Sequence, residues 1–418
     1  MQPVNLDVLK RFFESDNRCK EIAEGLALPG PARFHLSGLQ GSSVPFVFTA
    51  IFNAPSTAHF NHVIILKDAE EAAYFHNSLE NISGALDIFY FPSSFKNRKN
   101  YSLLNSSHVM LRTESLTRIA GGGRKKVMVT YPEAIFEKVV LPNHLTGKII
   151  SIKCSEDLEL NGLLDKLVNL GFERTDFVYE PGQFALRGGI LDIYSYGNEK
   201  PYRIELFGNE VDSIRIFDPE TQLSERKLLQ VNIIPNVETK FDTAEKASLP
   251  DFFDEATTIW CHDWNFIKER VLLCEEELEL FLNSPAADSM QKEVAEDETN
   301  IRARVDTNDF TEAAELEKKI LQKPVIEWGS NPSIAKNSIT FRTKPQPAFN
   351  RQFDLLIKDL RQLEGDKYNI FIFSDNAKQL ERLHSIFTDL KAEVQVTPVP
   401  VSIHEGFIDE DLKLVCYT

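Results

Sequence analysis

The hydrophobic pattern changes its period part-way along this chain, and that change limits the fold more than any other feature. Up to about residue 140, the apolar runs FHLSG, PFVFTAIF, HVIILKD, DIFYFP and KVMVTYP alternate with helix-period stretches such as AEEAAYFHNSLENI and MLRTESLTRIA. Strand-length runs with helices between them predict an α/β domain over 1–140, built on a mostly parallel sheet. Residues 1–30 read as one helix in front of it. From 141 to 235 the texture differs. One helix, DLELNGLLDKLVNLG, precedes TDFVYE, GQFALRG, GILDIYSYG, YRIELFGNE and VDSIRIFD, with glycine-rich or polar turns between them. That pattern predicts an antiparallel sheet carrying a helix, an α+β domain. Residues 236–340 hold a strand and turn, FFDEATTIWCHDW, then a helix, NFIKERVLLCEEELELFL. The segment 341–418 opens on the Pro-rich FRTKPQPAFN, read as a linker. A small α/β unit follows: FDLLIKDLRQL, YNIFIFSD, NAKQLERLHSIFTDL, VQVTPV and LKLVCYT. With no polar tail after its last strand, this unit reads as truncated.

Composition narrows the function. At roughly 100–200 residues per domain, 418 residues exceed a single core. A 42% hydrophobic and 26% charged chain is globular rather than disordered. No apolar run reaches the roughly 18–20 residues that span a bilayer, and the N-terminus lacks a signal-peptide core, so the expected compartment is the cytoplasm. The five scattered cysteines, Cys19, Cys154, Cys261, Cys274 and Cys416, form no C-x-x-C pair, which argues for a reducing compartment and against a zinc ribbon. His59 and His62 stand three apart without a third ligand, so no metal is expected. With 63 acidic against 46 basic side chains, the net charge of −17 argues against a broad DNA-wrapping surface. Between 275 and 320 the excess of acids reads as a solvated helical face.

Four motifs remain. HLSGLQGSSVPF follows a predicted strand, as a phosphate-binding loop does. Aligned on G-x-x-x-x-G-K-[ST], however, Gly38 is the first glycine and Ser43 replaces the second. Val44 replaces the lysine and Pro45 the hydroxyl residue, while Gly41 and Ser42 fill the loop. Without cation or magnesium ligand, ATP hydrolysis here is not expected, and no catalytic residue is assigned. TTIWCHDWN ends on Asp263 as a magnesium-binding strand would, but has no lysine loop to serve; it reads as a structural strand end. GGGRKKV (121–127) reads as a solvated turn, with contact to a nucleic-acid backbone as the alternative. Finally, the stretch 172–226 is rich in arginine, the residue suited to planar, bidentate contacts at interfaces. In YRIELF and VDSIRIF the alternation predicts a buried aliphatic face of Ile204, Leu206, Ile214 and Ile216. It predicts an outward face of Arg203, Glu205, Phe207, Arg215 and Phe217.

The run FVYEPGQFALRGGILDIYSYG…PYRIELFGNEVDSIRIFDPETQLS resembles the UvrB-homology module of the bacterial transcription-repair coupling factors (Mfd) and, less closely, the excision-repair helicase subunit UvrB. The resemblance implies a degenerate, P-loop NTPase-like domain interrupted by an inserted α+β domain. The chain would return to the first domain over 236–340 and end in the small α/β domain. It implies that the insert binds UvrA, the damage-sensing ATPase, through Arg174, Arg187, Arg203, Glu205 and Phe207. A second arginine, common in UvrB two residues before Arg187, is Ala185 here. The motor that uses ATP and magnesium, and the domains that meet RNA polymerase and DNA, would lie outside these residues. A C-terminal domain of the full-length protein would be a second partner of the same face. The expected function is therefore a non-catalytic adaptor recruiting UvrA to stalled polymerase in transcription-coupled repair; the alternative is a UvrB-like ATP-dependent helicase subunit.

Overall fold

The computed structural model describes residues 6–84, 87–97, 100–239, 241, 243–284, 305–334, 337–350 and 352–418. Three sheets organise them. The first has seven strands, all parallel, in the order Asn337–Thr340, Arg33–Ser37, Val325–Trp328, Thr257–His262, Asn61–Ile65, Val127–Thr130, Ile88–Tyr90. Its inner strands are buried along their length, as expected of a parallel sheet covered on both faces. Three of its strands come from beyond residue 236, so the chain leaves this sheet after Val127–Thr130 and re-enters it at Thr257–His262.

Between exit and re-entry lies the second sheet. Its six strands are ordered Ser224–Leu228, Glu210–Phe217, Tyr202–Phe207, Ile190–Ile193, Gln183–Arg187, Glu173–Arg174; only the last pair is parallel. The helix Leu160–Asn169 packs Leu163 and Leu167 against Phe184, Leu191, Ile204 and Ile214 on one face. A two-stranded antiparallel ribbon, Ile150–Lys153 with Gln230–Ile233, brings the two ends of this insertion side by side. The third sheet joins Thr343–Pro345, Phe407–Asp409, Leu414–Tyr417, Asn369–Phe373 and Thr397–Val399, in mixed orientation. The helices Phe353–Gly365 and Ala377–Asp389 pack on it through Leu360 and Phe387.

Several local expectations fail for identifiable reasons. Residues 1–30 form two helices, Leu6–Ser15 and Asn17–Leu26, because the Asp16 side chain accepts the Arg18 amide and starts a new turn. PFVFTAIF is not a strand but the body of the helix Ser43–Asn53, whose residues from Ser43 to Phe52 are all buried. An apolar run enclosed on every side carries no period that separates helix from strand. TDFVYE is largely a loop, and FRTKPQPAFN contributes the edge strand Thr343–Pro345, where proline is tolerated because the outer side needs no amide. Of the acidic run 275–320, residues 285–304 lie outside the described residues; those before them continue the helix Trp264–Leu282.

Candidate functional site

The degenerate loop has the strand–loop–helix form of a phosphate site: Arg33–Ser37, then Gly38 and Gly41 with positive φ, then the helix Ser43–Asn53. The Gln40 and Ser42 amides and the Ser43 hydroxyl are turned on the protein itself. The Ser42 amide donates to the Glu405 carbonyl (3.0 Å), and the Glu405 amide donates to Ser42 Oγ (3.1 Å). The Gln40 amide donates to Thr343 Oγ1 (2.7 Å), and Ser43 Oγ donates to the Gln40 carbonyl (2.7 Å). A Cβ on Gly38 would lie 2.1 Å from the Phe341 carbonyl oxygen, so the third sheet's lead-in closes directly over the loop. Val44 and Pro45 are buried in the first helical turn. The neighbouring cleft, about 270 Å³, is lined by Asp68, Glu70, Glu71 and Glu405, a set of carboxylates that repels a polyphosphate.

The other two motifs of the first sheet lie at Asp263 and in GGGRKKV. Asp263 follows Thr257–His262 in the left-handed region, and its amide donates to the Trp328 carbonyl. His62 is fully buried; Trp260 Nε1 donates to its Nδ1 at 3.2 Å, and burial, with Lys125 nearby, depresses its pKa to about 3. Among the described residues no group of His, Cys, Asp or Glu has the geometry to hold a metal. In GGGRKKV, Arg124 pairs with Asp254, Lys125 lies over the Phe52 ring, and Lys126 donates to the Arg118 and Gly122 carbonyls. These bases are engaged by the protein itself.

The second sheet behaves differently. On its face away from the helix, Asp192 is fully buried and central. Arg203 grips it with two bonds, Nε to Oδ1 at 2.8 Å and Nη2 to Oδ2 at 2.9 Å, and Arg187 Nη2 reaches Oδ2 at 2.5 Å. Cross-strand register sets this up: Asp192 stands opposite both Ala185 and Arg203. Arg203 also donates from Nη1 to the Gln222 carbonyl (3.0 Å) and lies over the Phe217 ring, while Arg187 donates to the Asp176 carbonyl and lies over Phe177. The Asp192 bond raises the Arg203 pKa further. Glu205 accepts from Ser213 Oγ at 2.6 Å and faces Arg215 Nη2 at 3.3 Å. Phe207, at the hairpin tip before Gly208, is 82% exposed.

This geometry corrects the sequence reading in three places. The outward face is not uniformly solvated: Phe217 is buried with Val178, Ala185 and Tyr194 in a small second core beneath the 175–182 loop. Ala185 is part of that core, so the missing second arginine leaves a packed contact, not a gap. Arg203 is only 14% exposed in its side chain, against 33% for Arg187. Arg174 is exposed, but its strand register matches it to Phe184, whose ring enters the helix-side core; alternation therefore turns it away from Arg187 and Arg203. Arg187, Arg203, Glu205 and Phe207 share one face. Asp192 and Gln222 were missed, although an aspartate inside the apolar run GILDIY already asks for a buried cationic partner.

Residues 150–238 match the family model described as the UvrB interaction domain. Over 96% of its length the chain is 23% identical to the transcription-repair-coupling factor of Bacillus subtilis, covering 38% of that protein. It is 22% identical over 99% of its length to that of Staphylococcus aureus strain Mu50, covering 40%. The matching factor of Staphylococcus haemolyticus is 24% identical over 79% of the chain, which covers 33% of it. The chain thus spans about two-fifths of the length of these curated relatives. The six-stranded sheet, with its Asp192-centred arginines, lies within the residues that match the UvrB interaction domain, in a chain that is similar along nearly its whole length to the transcription-repair-coupling factors.

Proposed function

We propose that these residues act as a non-catalytic recruiting module of a transcription-repair coupling factor, with the arginine face of the insert as the docking surface for UvrA. The observation that carries this reading is the contrast in charge and closure on the Asp192 face. Two guanidiniums share one carboxylate, leaving a net positive charge beside the exposed rings of Phe207 and Phe177. Arginine and aromatic side chains around a partly desolvated centre are the usual composition of an interface hot spot. In this reading RNA polymerase, DNA and the ATP- and magnesium-using motor engage other parts of the longer protein, whose C-terminal domain competes for the same face. The compartment is the cytoplasm; no described helix is long and apolar enough to cross a membrane.

The UvrB-like ATPase reading is disfavoured by the loop 38–45, which lacks the lysine and the hydroxyl residue and whose Ser42 and Gln40 amides are taken by Glu405 and Thr343. Calorimetric titration of UvrA into this protein tests the proposal. Arg187→Ala is expected to weaken binding by about 2 kcal/mol, roughly 30-fold. Wild-type protein that takes up no heat with UvrA, or an Arg187 variant that binds as wild type does, sinks it. DNA-stimulated ATP hydrolysis by purified protein, abolished by a substitution in 38–45, would restore the alternative.

A further inference from the structure

The helix Trp264–Leu282 buries one face and leaves an unusual opposite one. Trp264, Ile267, Val271, Cys274 and Leu278 enter the main core. On the other side Phe266, Leu272, Leu273 and Leu280 are 44%, 42%, 38% and 73% exposed. Phe266, Leu273 and Leu280 recur every seven residues, so they form one line along the helix, the seam that a second helix packs against. A surface helix ordinarily carries polar residues there.

The charges beside this seam say what would cover it. Glu269, Glu276 and Glu279 are exposed along it, and none has an ion pair among the described contacts. Of the neighbouring bases, Lys268 pairs with Glu317 at 2.7 Å and Arg270 with Glu133 at 2.6 Å, while Lys67 lies over the Phe266 ring at the seam's first residue, leaving the carboxylates in excess along the rest. A second copy of this chain would bring like carboxylates together, and an anionic membrane surface would be repelled. We infer that this face docks an amphipathic helix of a partner protein, with apolar residues at seven-residue spacing flanked by lysine or arginine. The surface lies on the first sheet's helical layer, so this site is separate from the arginine face of the insert.

The test uses three probes by fluorescence anisotropy: a 21-residue helical peptide with a leucine seam and lysine flanks, the same seam with glutamate flanks, and anionic phospholipid vesicles. The lysine-flanked peptide is expected to bind at least ten-fold tighter than the glutamate-flanked one. Leu273→Ser with Leu280→Ser should cut that affinity at least ten-fold while the thermal melt stays in place. Two results overturn the inference: no binding of the lysine-flanked peptide, or binding that the double variant leaves intact, which would be general attraction to an acidic chain. Vesicle binding lost in the same variant would reassign the face to a membrane, and concentration-dependent dimerisation lost in it would reassign the face to a second copy; either also overturns the inference.

Discussion

Arg112 and Arg203 are both held against carboxylates removed from water, yet their surroundings differ in stoichiometry and in closure. Arg112 is fully buried between two glutamates, with Nε 2.6 Å from Glu238 and Nη2 3.2 Å from Glu137, and its guanidinium over the Phe91 ring. Arg203 shares the single buried carboxylate of Asp192 with Arg187, at the edge of solvent. The first cluster joins the helix Ser106–Ala120 to Glu137 and to Glu238, just after the insert returns; it is a clamp. The second has one more cation than anion and an open side, so it retains a charge to offer a partner. Burial of an arginine therefore does not by itself mark structure or function; the count of opposing charges and the remaining exposure distinguish them.

Breaking the clamp should have the largest effect. Arg112→Ala leaves Glu137 and Glu238 buried without their cation, and a loss of about 3–5 kcal/mol is expected in urea unfolding. A loss under about 1 kcal/mol would show that the cluster is not the clamp described. In the same closed core, the depressed pKa of His62 gives a pH dependence of defined sign. A histidine whose folded pKa lies below its unfolded value binds fewer protons when folded. Stability from this group is complete above about pH 6.5 and falls as the pH drops toward 3, by about 1.4 kcal/mol per unit. Unfolding free energies at pH 7 and pH 5 should thus differ by about 2 kcal/mol more in the wild type than in His62→Gln. Equal slopes would mean the imidazole is not held neutral.

The open cluster sharpens the comparison at smaller magnitudes. An arginine read from sequence as solvent-facing would be replaceable without effect on folding. Because Arg203 covers Phe217 and satisfies Asp192, Arg203→Ala should instead cost about 1–3 kcal/mol of stability, and Arg187→Ala less, since Arg203 keeps its two bonds. A double-mutant cycle should find Arg203 coupled to Asp192 rather than to Glu205, which is engaged by Ser213 and Arg215. Coupling to Glu205 that equals or exceeds it would contradict this geometry. Least of all should Phe207→Ala disturb the fold, within about 0.5 kcal/mol, while it lowers UvrA affinity. A shifted melt with unchanged affinity would make Phe207 a structural residue.

Some of this was legible beforehand. The period-2 alternation of YRIELF and VDSIRIF located the hairpin and its aliphatic face, because a strand shows its burial on alternate residues. The parallel arrangement of HVIILKD and KVMVTYP followed from apolar runs separated by helices. PFVFTAIF was misread because uniform burial erases periodicity, and TDFVYE because a loop that covers a hydrophobic face needs the same residues as a strand.

By itself the sequence determined the chemistry available: Val44 and Pro45 in place of a lysine and a hydroxyl, arginines concentrated between 172 and 226, and the alternation that puts Arg203, Glu205 and Phe207 on one side of a strand. Tertiary structure alone decided what those groups face. Asp192 meets Arg187 and Arg203 only through register between three strands, and Glu405 reaches Ser42 across more than 360 residues. Spacing along a chain reports local geometry. The partner of a charge, and whether water still reaches it, depend on contacts between segments that no local pattern encodes.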